Sequence, residues 1–210
     1  MDTPVEIGIL ALQGGVVEHR QHLAALGVRA REVRMPAAIA GLSGLILPGG
    51  ESTCLARLLQ LTGVGAEILR AYHEDGLVLW GTCAGAILLA EEIVGEEPHL
   101  ALMPITVSRN AFGSQLDSFQ GSALVPAVAA TPIPLVFIRA PQITRADPPA
   151  RTLLELDGYI AAAETDQALA TVFHPELAAD LSFHRHFLRK CGWRESPAAS
   201  EHSRPFLAIQ

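Results

Sequence analysis

A thiol, an imidazole and a carboxylate are the side chains of this sequence whose settings could support chemistry together. Cys83 lies in Leu77-Val78-Leu79-Trp80-Gly81-Thr82-Cys83-Ala84-Gly85-Ala86-Ile87-Leu88-Leu89-Ala90, an apolar strand broken by a Gly-x-Cys-x-Gly turn and followed at once by an apolar helix. Glycines two residues to either side let the chain reverse sharply, so the spacing predicts a nucleophile elbow with the thiol at its apex. A helix N-terminus then stands behind the sulfur, and its dipole and free N–H groups favour the nucleophilic thiolate. Taken alone, the run also reads as a small buried cysteine in a core turn.

The partner group comes from Ala168-Leu169-Ala170-Thr171-Val172-Phe173-His174-Pro175-Glu176, a buried strand ending in a histidine, a proline and an acid. Proline holds the residue before it extended, so His174 and Glu176 project from a strand end rather than from a helix. An imidazole that takes a proton from sulfur needs a fixed tautomer, and a carboxylate at its far nitrogen supplies one. The plainer alternative is a strand-terminal histidine beside a solvated glutamate. A single elbow cysteine with a distant histidine and a local acid is the pattern of a Cys-His-Glu nucleophilic enzyme. A third stretch, Pro48-Gly49-Gly50-Glu51-Ser52, reads as a tight turn with a free N–H at Gly50 and Ser52 as N-cap of a helix through Leu59. Beside an elbow, the N–H groups of Gly50 and Ala84 would form an oxyanion hole.

These groups need a scaffold that delivers strand ends to one edge. Ile7 to Leu12 reads as a strand, Val16 to Leu26 as a helix stopped by Gly27, and Val28 to Arg34 and Gly44 to Leu47 as further strands. Short continuous apolar strands alternating with helices predict an α/β fold: three layers, with a mostly parallel central sheet flanked by helices. Ligands in such folds gather at the carboxyl ends of the strands. From Ile105 to Glu164 the segments are shorter and richer in proline. Strands are expected at Ile105 to Val107, Leu135 to Arg139, Thr152 to Leu156 and Tyr159 to Ala163, the last two joined by an Asp157-Gly158 hairpin turn. They read as an antiparallel extension of the same sheet. Leu181 to Cys191 reads as a terminal helix.

The 210 residues suit one well-buried domain, expected over 1–192, with 193–210 read as a mobile tail rich in Ser, Pro and Glu. Half of the residues are hydrophobic and 18% charged, which excludes disorder over most of the length. A net charge of −7 without a Lys or Arg cluster gives no support to nucleic-acid or anionic-membrane binding. No apolar run reaches the length of a spanning helix, and the start lacks the features of a secretory signal. Three widely spaced cysteines argue against a disulfide framework and suit a cytoplasmic protein. Cys54 and Cys191 read as packing residues. No metal site is expected: His184 and His186 would point apart on a helix, and His19 and His22 lack a third ligand and read as residues of the polar face of the first helix.

Taken together, Leu10-Ala11-Leu12-Gln13-Gly14, Leu47-Pro48-Gly49-Gly50-Glu51-Ser52-Thr53, Gly81-Thr82-Cys83-Ala84-Gly85, Arg109-Asn110-Ala111-Phe112-Gly113, Phe137-Ile138-Arg139-Ala140-Pro141 and Phe173-His174-Pro175-Glu176-Leu177 closely resemble the glutaminase subunits of pyridoxal 5′-phosphate synthase, within the class I glutamine amidotransferases. The elbow and the His-x-Glu pair place the chain only in the wider class; the two arginine runs narrow it. The resemblance implies Cys83 as nucleophile, His174 as base and Glu176 as orienting acid. It implies glutamine binding by Gly50, Glu51, Ser52, Arg109, Ile138 and Arg139, no cofactor, and a ring-forming synthase subunit as partner. Each of Arg109 and Arg139 could pair with the substrate α-carboxylate or brace a loop. Ser114, Gln120 and Val172 depart from the family pattern without touching the triad. Two other readings share the motifs: a glutaminase serving another synthase, such as that for imidazole glycerol phosphate, and a cysteine hydrolase of the same architecture without a glutamine pocket. A non-catalytic binding module would not need the intact triad.

Overall fold

A computed structural model describes residues 5–109 and 118–195. The first half of the chain builds β1 (Ile7–Leu10), α1 (Val16–Ala25), β2 (Ala30–Val33), β3 (Gly44–Leu47), α2 (Ser52–Thr62), α3 (Val64–Glu74), β4 (Val78–Thr82) and α4 (Ala84–Leu89). The second half adds β5 (Ala90–Ile93), β6 (Met103–Ser108), β7 (Phe119–Ala123), β8 (Ile133–Phe137), β9 (Gln142–Ala146), β10 (Arg151–Leu156), β11 (Tyr159–Glu164), β12 (Ala168–Thr171) and α5 (Ser182–Lys190).

A ten-stranded sheet runs β2-β1-β3-β4-β12-β11-β9-β6-β5, with β10 on β11. From β2 to β12 every pairing is parallel, and β1, β3, β4 and β12 are buried along their whole length. Continuous apolar runs such as Gly44-Leu45-Ile46-Leu47 suit strands covered on both faces. Helices supply the cover: α4 lies against β3, β4 and β12, α1 against β1 and β2, and α5 buries Phe183, His184, Phe187 and Leu188. Beyond β12 the sheet turns antiparallel through β11, β9 and β6.

The antiparallel extension is therefore present, with one correction. The strand expected at Leu135 to Arg139 ends at Phe137 as β8 and leaves the main sheet, pairing with β7 as a separate two-stranded sheet. The Asp157-Gly158 turn closes the β10–β11 hairpin with both residues at positive φ, 46° and 81°, the geometry of a type I′ turn. Helix α2 runs past Leu59 to Thr62, and after left-handed Gly63 a further helix, α3, follows; the sequence reading did not anticipate it. Of the expected tail, Trp193 packs on the core and Glu195 pairs with Arg185, whereas residues 196–210 lie outside the described part. No helix among the described residues is long and apolar enough to cross a membrane.

Candidate active site

Three neighbouring strands converge on the site. Strand β4 pairs in parallel with β3, Leu47 opposite Gly81, and with β12, Thr171 opposite Thr82. Their carboxyl ends therefore emerge side by side: Pro48 to Glu51 from β3, Cys83 from β4, and His174 and Glu176 shortly after β12. This is the edge at which parallel α/β sheets bind ligands. Cys83 sits between β4 and α4 with φ 48° and ψ −105°, a backbone region that costs a non-glycine residue on the order of 1–3 kcal/mol. Its N–H donates to Thr171 O at 2.8 Å, which ties the bend to β12. Gly85 follows at once, so close to β3 that a side chain there would run into Leu47 O.

His174 Nδ1 lies 2.8 Å from Glu176 Oε1, and the ring stands beside Cys83, both of them neighbours of Gly49. Burial of the imidazole works against its charge, but the hydrogen bonds and charges of Cys83 and Glu176 outweigh this and push its pKa up to about 10. Burial likewise opposes ionisation of Glu176, and its bond to His174 and the proximity of His19 more than compensate, holding the carboxyl below its ordinary range. A proton thus rests on the imidazole beside the sulfur, with the acid fixed behind it. Gly49 completes the contact, since a Cβ on it would meet His174 Cε1 at 2.5 Å and Cys83 Cβ at 3.3 Å.

A cavity of about 500 Å³ opens over the thiol, lined among others by Gly50, Glu51, Ser52, Ala84, Ile138 and Arg139. The N–H groups of Gly50 and Ala84 have no acceptor among the described residues. Gly49 is pinned from beneath, its N–H donating to Thr82 Oγ1 at 3.0 Å, and the Glu51 N–H donates to Gln13 Oε1 at 3.0 Å. Helix α2 is capped by Glu51 rather than by Ser52, correcting the sequence reading: the Glu51 carboxylate accepts from Thr53 N at 3.1 Å and Cys54 N at 2.7 Å. The Cys54 N–H leads the causes that hold the Glu51 carboxyl below its usual range. Arg109 reaches Glu96 at 2.7 Å and Glu51 at 3.3 Å, which is the bracing geometry. Arg139, at φ 44°, forms no ion pair among the described residues, and the Ile138 carbonyl faces the thiol at 4.0 Å. Asn110 to Gly113, and Ser114, lie outside the described residues. Gln120 is exposed on β7, and Val172 is buried beneath the loop that carries His174.

A match to the SNO glutamine amidotransferase family spans residues 9–192. The chain belongs to that family. It is 54% identical over 186 residues to pyridoxal 5′-phosphate synthase subunit PdxT of Syntrophus aciditrophicus, covering 89% of this chain and 83% of that one. Its identity to the PdxT subunit of Deinococcus radiodurans is 52% over 194 residues, covering 90% and 98%. A crystal structure of a glutamine amidotransferase superposes with a TM-score of 0.84 at 42% identity, covering 89% and 99%.

Against this family background, two residues of the site were not found by reading motifs. Thr82 was passed over as part of the elbow, yet its hydroxyl holds Gly49. His19, expected on a polar helix face, is fully buried, with Nε2 3.5 Å from Glu176 Oε2. The available signal was spacing: His19 and Leu23, four residues apart, share the inward face of α1. Cys54, expected to pack, is exposed, while Cys191 is largely buried, its sulfur beside Gly44. Among the described residues no cluster of metal-ligating side chains occurs.

Proposed function

We propose that the protein is the glutaminase subunit of a pyridoxal 5′-phosphate synthase, with residues 1–192 as one glutaminase domain. The observation that carries the reading is the strained elbow thiol beside an imidazole that is itself bonded to a buried carboxylate. The thiolate of Cys83 adds to the side-chain amide carbon of L-glutamine, and the N–H groups of Gly50 and Ala84 receive the oxyanion; one such donor is typically worth about 2.7–4 kcal/mol. His174 gives its proton to the departing nitrogen, releasing ammonia and leaving a γ-glutamyl thioester. The now neutral His174 takes a proton from water, which adds to the thioester and expels the thiolate with formation of glutamate. Arg139 is free to receive the substrate α-carboxylate, with Arg109 bracing Glu51 and the loop beside Gly50 and Ser52. These steps use no cofactor and no metal.

A ring-forming synthase subunit as partner is supported by the relatives' designation as subunits and by the chain's own amines. Lys190 is its only lysine, and Nζ is engaged by Glu164 at 3.1 Å and Thr165 O at 2.6 Å. Building a ring through carbonyl intermediates calls for imine-forming amines, so that chemistry falls to another chain. Ile138 and Leu177, both exposed and lining the cavity, give the mouth an apolar rim that a partner would cover. Ammonia then passes across the contact before water protonates it. The cysteine usage accords with a cytoplasmic setting.

The test is glutamine-dependent formation of pyridoxal phosphate by the chain mixed with a ring-forming subunit. Cys83→Ala should abolish that reaction while leaving synthesis from added ammonium intact. Glutamate release by Cys83→Ala at the parent rate would overturn the reading, and productive coupling to a different synthase alone would reassign the partner.

A further inference from the structure

Behind the triad lies a polar network that the mechanism above does not use. His19 on α1 and His184 on α5 are both fully buried, with His19 Nδ1 3.0 Å from His184 Nε2. The other nitrogen of His19 stands 3.5 Å from Glu176 Oε2 and 3.4 Å from Thr82 Oγ1. Glu176 Oε2 is buried and has no hydrogen-bond partner among the described residues, while Oε1 is taken by His174. The network also touches the oxyanion loop, because Thr82 Oγ1 accepts the Gly49 N–H. Trp80 presses edge-on against both rings, at centroid distances of 5.5 and 4.8 Å, and His22 stacks on His184 at 4.5 Å.

One arrangement of protons suits this geometry best. If His19 carried its proton on Nδ1, it would donate to His184, leave a buried His184 Nδ1–H without an acceptor, and turn a lone pair toward the Glu176 carboxylate. With the proton on Nε2, His184 Nε2–H donates to His19 Nδ1 and the His19 N–H dipole faces the unpaired carboxylate oxygen. The atoms left without a hydrogen bond are then acceptors alone, the His184 Nδ1 lone pair and Glu176 Oε2, the smaller cost. Both rings are neutral: burial leads the causes that lower the pKa of His19 to about 4, against the opposing charge of Glu176 and aided by His22 and His174. Burial likewise pushes His184 well down, aided by His19 and His22.

We propose that His19, with its tautomer set by His184, is a positioning residue for the triad: it holds the second oxygen of Glu176 so that the first stays directed at His174. The inference rests on the glutaminase reading for its kinetic consequence and not for its structural content. A neutral donor serves here better than a cation, since it steadies the carboxylate without competing with the imidazolium of His174 for it. The shared contact with Thr82 places the acid and the Gly49 turn on one support.

The experiment has two arms. Nitrogen-15 NMR of histidine-labelled full-length protein at neutral pH should show His19 neutral and protonated on Nε2. A Nδ1–H or doubly protonated His19 overturns the proposal whether or not glutamine is hydrolysed. In the complex with the ring-forming subunit, His19→Leu should lower kcat for glutamate release by about tenfold, the scale of a displaced catalytic group, with KM within about twofold. The acid limb of its kcat/KM profile should move to higher pH, because the carboxylate has lost a stabilising dipole. His19→Gln, which restores an N–H donor, should recover most of kcat. An unmoved acid limb in His19→Leu, or His19→Gln as impaired as His19→Leu while equally folded, rejects the positioning role. A parent complex that releases no glutamate would instead fail the glutaminase reading and leave the NMR arm to decide.

Discussion

The parallel and antiparallel halves of the sheet are built to different tolerances. Strands β1, β3, β4 and β12 are buried throughout, pair in unbroken parallel register, and end together at the thiol, the imidazole and the Gly49-Gly50 turn. Beyond that half, the separate strand β7 is almost wholly exposed, half of β10 is exposed, and the β10–β11, β5–β6 and β6–β9 pairings all carry register shifts. A site that must hold three groups from distant points of the chain within hydrogen-bond reach draws them from the half in which neighbouring backbones cannot move independently. The looser part of the molecule supplies a rim to the cavity, including Ile138 and Arg139 just after β8.

Substitutions can break this contrast. The largest effect is expected at the elbow: Cys83→Gly should reduce glutamate release by at least about 10³-fold yet leave the protein no less stable in urea titrations, because glycine relieves the strain at φ 48°. A clear loss of stability would mean that the bend stores no strain. Next comes Gly85→Ala, whose methyl would overlap the Leu47 carbonyl; a stability loss of about 3 kcal/mol is expected from the forced shift of β3 against α4. The matched change in the looser half, Gly121→Ala, meets open space and should stay within about 0.5 kcal/mol. A similar cost at both positions would erase the distinction.

Titration sharpens the comparison further. His174, raised from 6.5 to about 10, contributes stability that is full below its unfolded value and is lost as pH climbs from about 6.5 through 10. Glu164 of β11 behaves in the opposite sense. Burial opposes its charge, but hydrogen bonds from His186 and Lys190 outweigh this and lower its pKa from 4.5 to about 2. Its contribution is present above 4.5 and disappears as pH falls toward 2. Denaturant midpoints across pH should therefore show Glu176→Gln flattening the alkaline decline by on the order of 1 kcal/mol or more, and Glu164→Gln flattening the acid one. A parent protein equally stable at pH 7 and pH 10 would contradict the first assignment.

The same division decided what could be read from the sequence. Continuous apolar runs gave away β1, β3, β4 and β12, and the glycines around Cys83 gave away the elbow, because in that half local composition and tertiary setting agree. The Asp157-Gly158 turn was legible for the same reason. Helix α3 was missed because Gly63 reads as a terminator, whereas its left-handed conformation ends one helix and begins the next. β8 was placed in the wrong sheet because strand propensity does not name a partner. Glu51 and Ser52 both suit a helix start, and only coordinates show which carboxyl or hydroxyl reaches the free N–H groups. His19 eluded the reading because a buried histidine announces itself through its neighbours, and those come from α5 and from Glu176, far along the chain.

Strand β12, the last strand among the described residues, sits inside the sheet between β4 and β11. On the ribosome, where the N-terminal part emerges first, β4 would wait with an open edge until Ala168–Thr171 had also been made. In a growing chain Cys83 therefore emerges ahead of His174 and Glu176, and the three side chains come together only once the strand that seals the sheet is in place.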